Sequence, residues 1–439
     1  MKKRIKNVLK NLILQKKDKF LFYIIFFYIF VKNFPQIIFK IGKPLIIGID
    51  RPRFNLDAAE LRKNKNAKLI VISRKLFYFL GDIFISHEFQ FQSSYHFRNN
   101  SDINHWNETI GVIHGKNHEN IVNFENKIEI LKIEKRELED YYTYVYKKYL
   151  YRYNIHSILL SNVDYWEVQE FTKVLSKNNV SICALYRESI GSPNQLNLLR
   201  KYYSSTAFEK LNIDKVFVFG ENALTVFGST LFIDRSSVYS VGIPRIDAYD
   251  KYRNKKTANL ITFFDFSLPS YKLINTSDQA LEIINSLSEK YPKFKFLVKT
   301  KTKSDKDRLI SKKIIKEKNN LFISHDYKFS RIIQNSKIII GTNTTSVIET
   351  LFLDSFFIYP SWNVSNGDNK NLIVGPELDP KKYIVCPQKD DFEEMLERYI
   401  NSEFSLSESE KSIRQKIVSR NITDFSFTSS EKCIEIILS

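Results

Sequence analysis

A chain of 439 residues is longer than one hydrophobic core usually serves, which points to two domains of roughly 200 residues each. An apolar content of 43% with only 12 Gly and 11 Pro excludes a disordered or collagen-like chain, and three scattered cysteines, Cys183, Cys386 and Cys433, give neither a disulfide framework nor metal-ligand spacing. A formal net charge of +18 suits nucleic acid, an anionic membrane or a phosphorylated substrate, but no nucleic-acid-binding module is visible and no nucleic acid partner is expected.

Residues 1–19 carry eight Lys or Arg against one Asp and run into FLFYIIFFYIFV, Phe20 to Val31. These 12 apolar or aromatic residues fall short of the about 20 that a spanning helix needs, and Lys32, Asn33 and Pro35 interrupt them, although IIFKI at Ile37 to Ile41 prolongs the apolar character. Residues 1–43 therefore read as a segment that lies on an anionic membrane surface, basic residues on the headgroups and aromatics at their boundary. No small-residue cleavage pattern follows, so the expected location is cytoplasmic, peripheral on the inner face of the cell membrane.

From Pro44 onward short β-branched runs alternate with amphipathic ones, the rhythm of βαβ units. Strands are predicted at PLIIGI (Pro44 to Ile49), KLIVIS (Lys68 to Ser73), HSILLS (His156 to Ser161), VSICALY (ending at Tyr186) and DKVFVFG (Asp214 to Gly220), with a helix over Trp166 to Asn179. SVYSVGIPRID, Ser237 to Asp247, closes this half, and the polar residues 250–258 read as a linker. A second unit follows: strands at NLITFFDF (Asn259 to Phe266), KFKFLVKTK (Lys293 to Lys301), LFIS (Leu321 to Ser324), KIIIG (Lys337 to Gly341) and SFFIYP (Ser355 to Pro360), a helix over Ser277 to Tyr291, and one or two helices from Ser407 to the end. The predicted fold class is α/β, with two doubly wound parallel sheets and a cleft between them.

Ligands of open α/β sheets bind at the carboxyl ends of strands, which singles out four segments. In GTNTTSVIETLFL a strand stops at Gly341, a hydroxyl-rich turn follows and a helix begins near Thr345; Asn343, Thr344, Thr345 and Ser346 either cradle a phosphate or cap the helix. Glu349 in this segment reaches a ribose hydroxyl or supports the first helical turn. In KTKTK the alternate residues Lys299 and Lys301 share one side of an extended chain, as a diphosphate clamp or a solvated basic edge, while His325 past LFIS lines the cleft or caps the next helix. In GIPRID, Arg245 is a planar donor suited to phosphate with Asp247 to orient it, or half of an internal pair at a hinge. In LYRESIG, Glu188 stands where a general base would deprotonate an acceptor hydroxyl, and Arg187 beside it pairs with Glu188 or binds an anionic acceptor; Asp164 is a weaker candidate base. His114 and His118 lie four apart with no carboxylate motif, so no metal site is expected.

Taken in order, the LYRES-type loop, VGIPRID, FKFLVKTK and IIIGTNTTSVIETLFL resemble GT-B-fold glycosyltransferases of surface carbohydrates such as capsule and lipopolysaccharide, distantly related to Kdo transferases and CDP-glycerol glycerophosphotransferases. The resemblance spans roughly Ile155 to Cys386. It implies an acceptor domain at 44–249, a nucleotide-sugar domain at 259–404 and carboxy-terminal helices at 405–439 that pack back. It further implies a donor site of Lys299, Lys301, Asn343, Thr344, Thr345, Ser346 and Glu349, with Glu188 as base. Such enzymes need no metal or cofactor: their partners are a nucleotide sugar and a glycan or lipid-linked glycan acceptor, and the expected transfer is inverting. A CDP-polyol phosphotransferase of the same fold and a non-catalytic scaffold for polysaccharide assembly are the alternatives. An epimerase acting on UDP-N-acetylglucosamine shares the double lobe, but needs neither an acceptor nor a basic anchor.

Overall fold

The computed structural model describes residues 40–50, 54–73, 139, 142–143, 146–151, 153–161, 163, 166–186, 193–204, 210–252, 259–265, 274–301, 303–311, 315–341, 345–351, 355–362, 385–386, 388–402, 406–423 and 426–439. The basic and aromatic stretch before Lys40 lies outside them, as do His114, His118, Asp164, Arg187, Glu188, Asn343, Thr344 and the linker residues 253–258.

The first sheet takes β1 (Leu45–Asp50), β2 (Lys68–Ser73), β3 (Ile155–Leu160), β4 (Ser181–Leu185), β5 (Lys215–Val218) and β6 (Val238–Ser240) in the order β2-β1-β3-β4-β5-β6, every neighbouring pair parallel. Its connections include α1 (Phe54–Leu61), α2 (Trp166–Lys177), α3 (Pro193–Tyr203) and α4 (Glu221–Gly228). Past the end of α2, Asn179 takes a left-handed φ of 56°, a conformation an Asn side chain tolerates, and the chain turns into β4. Tyr142, Tyr146, Phe171, Tyr186, Tyr203, Phe227 and Phe232 fill one face of this sheet, with the Tyr203 and Phe232 rings stacked at 4.9 Å.

The second sheet takes β7 (Leu260–Asp265), β8 (Lys295–Thr300), β9 (Leu321–Ser324), β10 (Ser336–Gly341), β11 (Phe356–Pro360) and β12 (Val385–Cys386) in the order β12-β11-β10-β7-β8-β9, again all parallel. Its helices are α5 (Ile274–Lys290), α6 (Lys303–Ser311), α7 (Phe329–Asn335), α8 (Thr345–Thr350) and α9 (Lys389–Asn401). Helix α5 buries Ala280, Leu281, Ile284 and Leu287, and α9 buries Phe392, Leu396, Tyr399 and Ile400; these are one-face spacings that put an apolar stripe on the sheet. Strands β1, β7, β10 and β11 are largely apolar runs, as strands covered on both faces are.

A third apolar cluster joins the two sheets. It includes Ile46 of β1 and Phe219 just past β5, Phe264 of β7, Ile339 of β10 and Ile348 of α8, and Ile417, Ile434 and Ile437 from the last two helices, α10 (Glu408–Asn421) and α11 (Ser429–Leu438). Helix α10 starts in a capping box, in which the Glu410 amide donates to the Ser407 hydroxyl and the Glu410 carboxylate accepts from the Ser407 amide. Both helices return to the first sheet: the Thr423 amide donates to the Phe219 carbonyl at 3.1 Å, and Lys215 Nζ donates to the Ile436 carbonyl at 2.5 Å. Among the described residues no helix is long and apolar enough to cross a membrane.

Candidate functional site

Each sheet reverses its winding once. The chain lays β2 on one side of β1 and β3 on the other, and it lays β8 and β9 on one side of β7 before crossing to β10 on the other. Crevices at the carboxyl ends of such switch points are where open α/β sheets bind ligands. Helix α1 leaves the first switch point after β1, and α8 leaves the second after β10.

The elements that flank the hydroxyl-rich segment are where the sequence puts them: β10 ends at Gly341 and α8 opens at Thr345. Strand register sets Gly341 level with Phe264 of β7, Phe264 level with Lys299 of β8, and Lys299 level with Ser324 of β9. One edge thus gathers α8, with half-buried Ser346 and buried Glu349, together with Lys299, Lys301 and His325. Lys299 is half-buried, and its ammonium donates to the carbonyls of Thr300 and His325, both at 2.7 Å, so it ties together the two turns that rim this edge. The expected row of alternating lysines needs correction. The strand stops at Thr300 and α6 begins at Lys303, so Lys299, Lys301 and Lys303 do not lie on one extended segment; Lys301 is the exposed cation of the turn.

Arg245 is part of an internal ion pair, one of its two expected readings, but its partners are Asp57 and Glu349 and not Asp247. After β6, Gly242 takes φ +85°, a conformation that favours glycine, and the chain enters a 3-10 helix from Pro244 to Tyr252, so the residues read as the start of the linker are still helical at Tyr252. Arg245 in this helix is 8% exposed, and carboxylates engage all three of its guanidinium nitrogens. Nε and Nη2 donate to Glu349 Oε1 at 3.1 and 2.5 Å; Nη1 donates to both oxygens of Asp57 at 3.2 Å; and the Arg245 amide donates to Asp57 Oδ1 at 3.2 Å. The Phe219 ring lies 5.2 Å from the guanidinium carbon. Burial alone would pull this arginine's pKa down, but the Glu349 and Asp57 carboxylates outweigh it and push it further up. With its fork committed to two carboxylates, Arg245 sits as an internal ion pair and not around an open phosphate site. Asp247, the partner expected from sequence, instead caps α11 by accepting from the Ser429 amide (3.1 Å), the Ser430 amide (2.7 Å) and the Ser430 hydroxyl (2.5 Å).

Both contacts from Arg245 end on Oε1 of Glu349, a residue 5% exposed, and no described residue donates to Oε2. Two further participants escaped sequence reading. Asp57 is fully buried in α1, 188 residues from its partner, in a segment with no motif. Asp265 is buried at the end of β7 beside the switch point; it accepts from Ser277 at 3.0 Å and from Arg308 Nη2 at 3.0 Å, and so ties the first turn of α5 and the last turn of α6 to the end of β7. Its place at the end of an apolar strand was the available signal.

No family model matches the sequence, and no curated protein matches it. Among solved structures, the chain is similar to a putative UDP-N-acetylglucosamine 2-epimerase from Listeria monocytogenes at TM-score 0.50 and 9% identity, covering 90% of this chain and 96% of that one. It is also similar to a glycosyltransferase from Rickettsia africae (TM-score 0.43, 14% identity, 90% and 98% covered) and to the wall teichoic acid polymerase TagF (TM-score 0.42, 11% identity, 68% and 84% covered). The likeness to the Listeria structure, together with the two parallel doubly wound sheets, defines the fold as GT-B, a pair of Rossmann-like domains. Identities of this size establish the fold alone.

Proposed function

We propose that the protein is a glycosyltransferase that moves a sugar from a nucleotide-activated donor to a growing surface polysaccharide or lipopolysaccharide acceptor at the inner face of the cell membrane. The observation that carries this reading is Glu349, a buried carboxylate on the helix that leaves the second switch point, with one oxygen held by Arg245 and the other unclaimed among the described residues. An acceptor oxygen so placed suits a ribose hydroxyl. The Thr345 and Ser346 end of α8, with Asn343 and Thr344 before it, would meet the diphosphate, and Lys301 would add positive charge while Lys299 holds the rim.

Transfer is by direct displacement. Glu188 takes the proton of the acceptor hydroxyl, the acceptor oxygen attacks the anomeric carbon, and the bond from that carbon to the nucleotide's phosphate oxygen breaks with inversion. The hydroxyls and lysines of the donor site stabilise the charge that collects on the leaving phosphate, with no metal required of the protein. The test is acceptor-dependent release of nucleotide from UDP-, CDP-, CMP- and GDP-sugars, with UDP first because the Listeria structure is named for a UDP-sugar. Release should require the acceptor and fall about 10²- to 10⁴-fold in Glu188→Gln. Interconversion of the sugar with the nucleotide still attached and no acceptor present would replace this reading with an epimerase; transfer of donor phosphate to the acceptor would replace it with a polyol phosphotransferase.

A further inference from the structure

The Asp57–Arg245–Glu349 cluster draws its three members from the carboxyl edges of both sheets: α1 after β1, the 3-10 helix after β6, and α8 after β10. A buried ion cluster has two physical uses, holding lobes together or holding one of its members in a set orientation. The pattern of contacts separates them. A guanidinium offers two parallel N–H bonds that match the two oxygens of a carboxylate. Here Nε and Nη2 converge on Oε1 of Glu349 alone, whereas Nη1 spans both oxygens of Asp57, and the Arg245 amide adds a further bond to Asp57. The Asp57 side of the cluster is saturated and the Glu349 side is not.

From this we infer that Arg245 is a positioning residue of the donor site: anchored by Asp57, it holds the Glu349 carboxylate so that Oε2 faces a nucleotide ribose hydroxyl. The inference rests on the sugar-nucleotide reading above. It assigns Arg245 to the hydroxyl side of the donor instead of its phosphate, since two carboxylates against one guanidinium carry a formal negative charge that disfavours a phosphate beside them. It also makes ribose recognition by the second sheet depend on a residue of the first, Asp57, which reaches Glu349 only through Arg245. A lysine at position 245 would supply the charge as a single point with three rotatable donors and would lack the planar fork that fixes the orientation of the Glu349 carboxylate.

The experiment compares equilibrium binding of a ribonucleoside diphosphate with its 2′-deoxy and 3′-deoxy counterparts, using the full chain and the variants Glu349→Gln, Arg245→Lys and Asp57→Asn. The wild type should bind at least one deoxy form about tenfold more weakly than the ribonucleotide, the scale of a single hydrogen bond to a charged group. Arg245→Lys should lose about the same factor for the ribonucleotide while binding the deoxy form as the wild type does, so that the preference collapses as it does in Glu349→Gln. Asp57→Asn keeps a side chain of the same shape and should lose part of the preference, which preserves the test if Arg245→Lys does not fold. Equal weakening of both nucleotides in these variants would mark the cluster as structural only and overturn the inference. A preference for ribose that survives Arg245→Lys would also overturn it. Absence of binding by the wild type to any ribonucleoside mono- or diphosphate would remove the sugar-nucleotide reading itself, and this inference with it.

Discussion

The return of the carboxy-terminal helices to the first sheet depends on one side chain being absent. Gly220, between β5 and α4, faces the chain where α10 ends: a Cβ built on it would stand 2.3 Å from the Asn421 carbonyl carbon and oxygen and 2.6 Å from the Ile422 nitrogen. These are backbone atoms and cannot rotate away, so Gly220→Ala requires the crossing segment to lift by about 1 Å to reach ordinary van der Waals separation. That lift strains the Thr423 amide bond to the Phe219 carbonyl and the contact between Ser240 and Thr423. Overpacking of this kind costs about 1–3 kcal/mol, and a backbone hydrogen bond adds about 1 kcal/mol, so a loss of about 2–4 kcal/mol is expected. Gly228 is the control. Its added Cβ would meet Arg235 Cδ at 2.3 Å and Nε at 2.7 Å, the far part of a flexible side chain that can swing aside, and Ala at the end of α4 gains up to about 1 kcal/mol in helix propensity. Urea unfolding of both variants, with hydrogen exchange read at Thr423, tests the reasoning. Gly220→Ala should be the less stable by well over 1 kcal/mol, with faster exchange at Thr423; equal stability of the two, with unchanged exchange, would refute it.

Two further outcomes follow from the chemistry of buried groups. Burial, the largest single influence on Glu410, pushes its carboxyl up, but the hydrogen bonds from Ser407 and Tyr399 and the nearby Arg414 charge outweigh it and hold the pKa below the ordinary 4.5. A carboxyl depressed in the folded state contributes stability above its unfolded value and loses it as the pH falls through the folded one. The destabilisation caused by Glu410→Gln should therefore be largest near neutral pH and shrink as the pH drops below 4.5, in paired urea titrations; a difference that does not vary with pH would contradict this. Burial also pushes the Cys183 thiol up to about 12 and raises Cys433 well above its ordinary range. Neither thiol should react with an alkylating reagent at pH 8 until urea unfolds the chain, as read by peptide mass mapping.

Sequence alone made the local features legible and left the long-range ones hidden. Strand ends could be read because an apolar run that stops at Gly341 and is followed by hydroxyl residues carries its own boundary, and β10 and α8 sit on it. The polar stretch taken for a linker was less clear: residues 250–252 continue a 3-10 helix, since a charged surface suits a helix end as well as a loop. For the site, Arg245 was recognisable as important from the rigid Gly-Ile-Pro turn before it, but its partners were not. Asp247 is two residues away and points to α11, while Asp57 and Glu349 come from opposite ends of the chain and meet Arg245 only because the carboxyl edges of both sheets converge. The lysines of KTKTK were assigned to one face on the premise of an extended chain, and the start of α6 at Lys303 breaks that premise.

The most direct test of the donor site is calorimetric titration of the full chain with CMP, CDP, UDP and GDP, beside a Lys299→Ala, Ser346→Ala double variant. Saturable binding of one nucleotide that is lost in the variant is the expected result and would name the donor class. Binding of none of the four would contradict a donor site at the second switch point and favour a scaffold that keeps the fold without the chemistry.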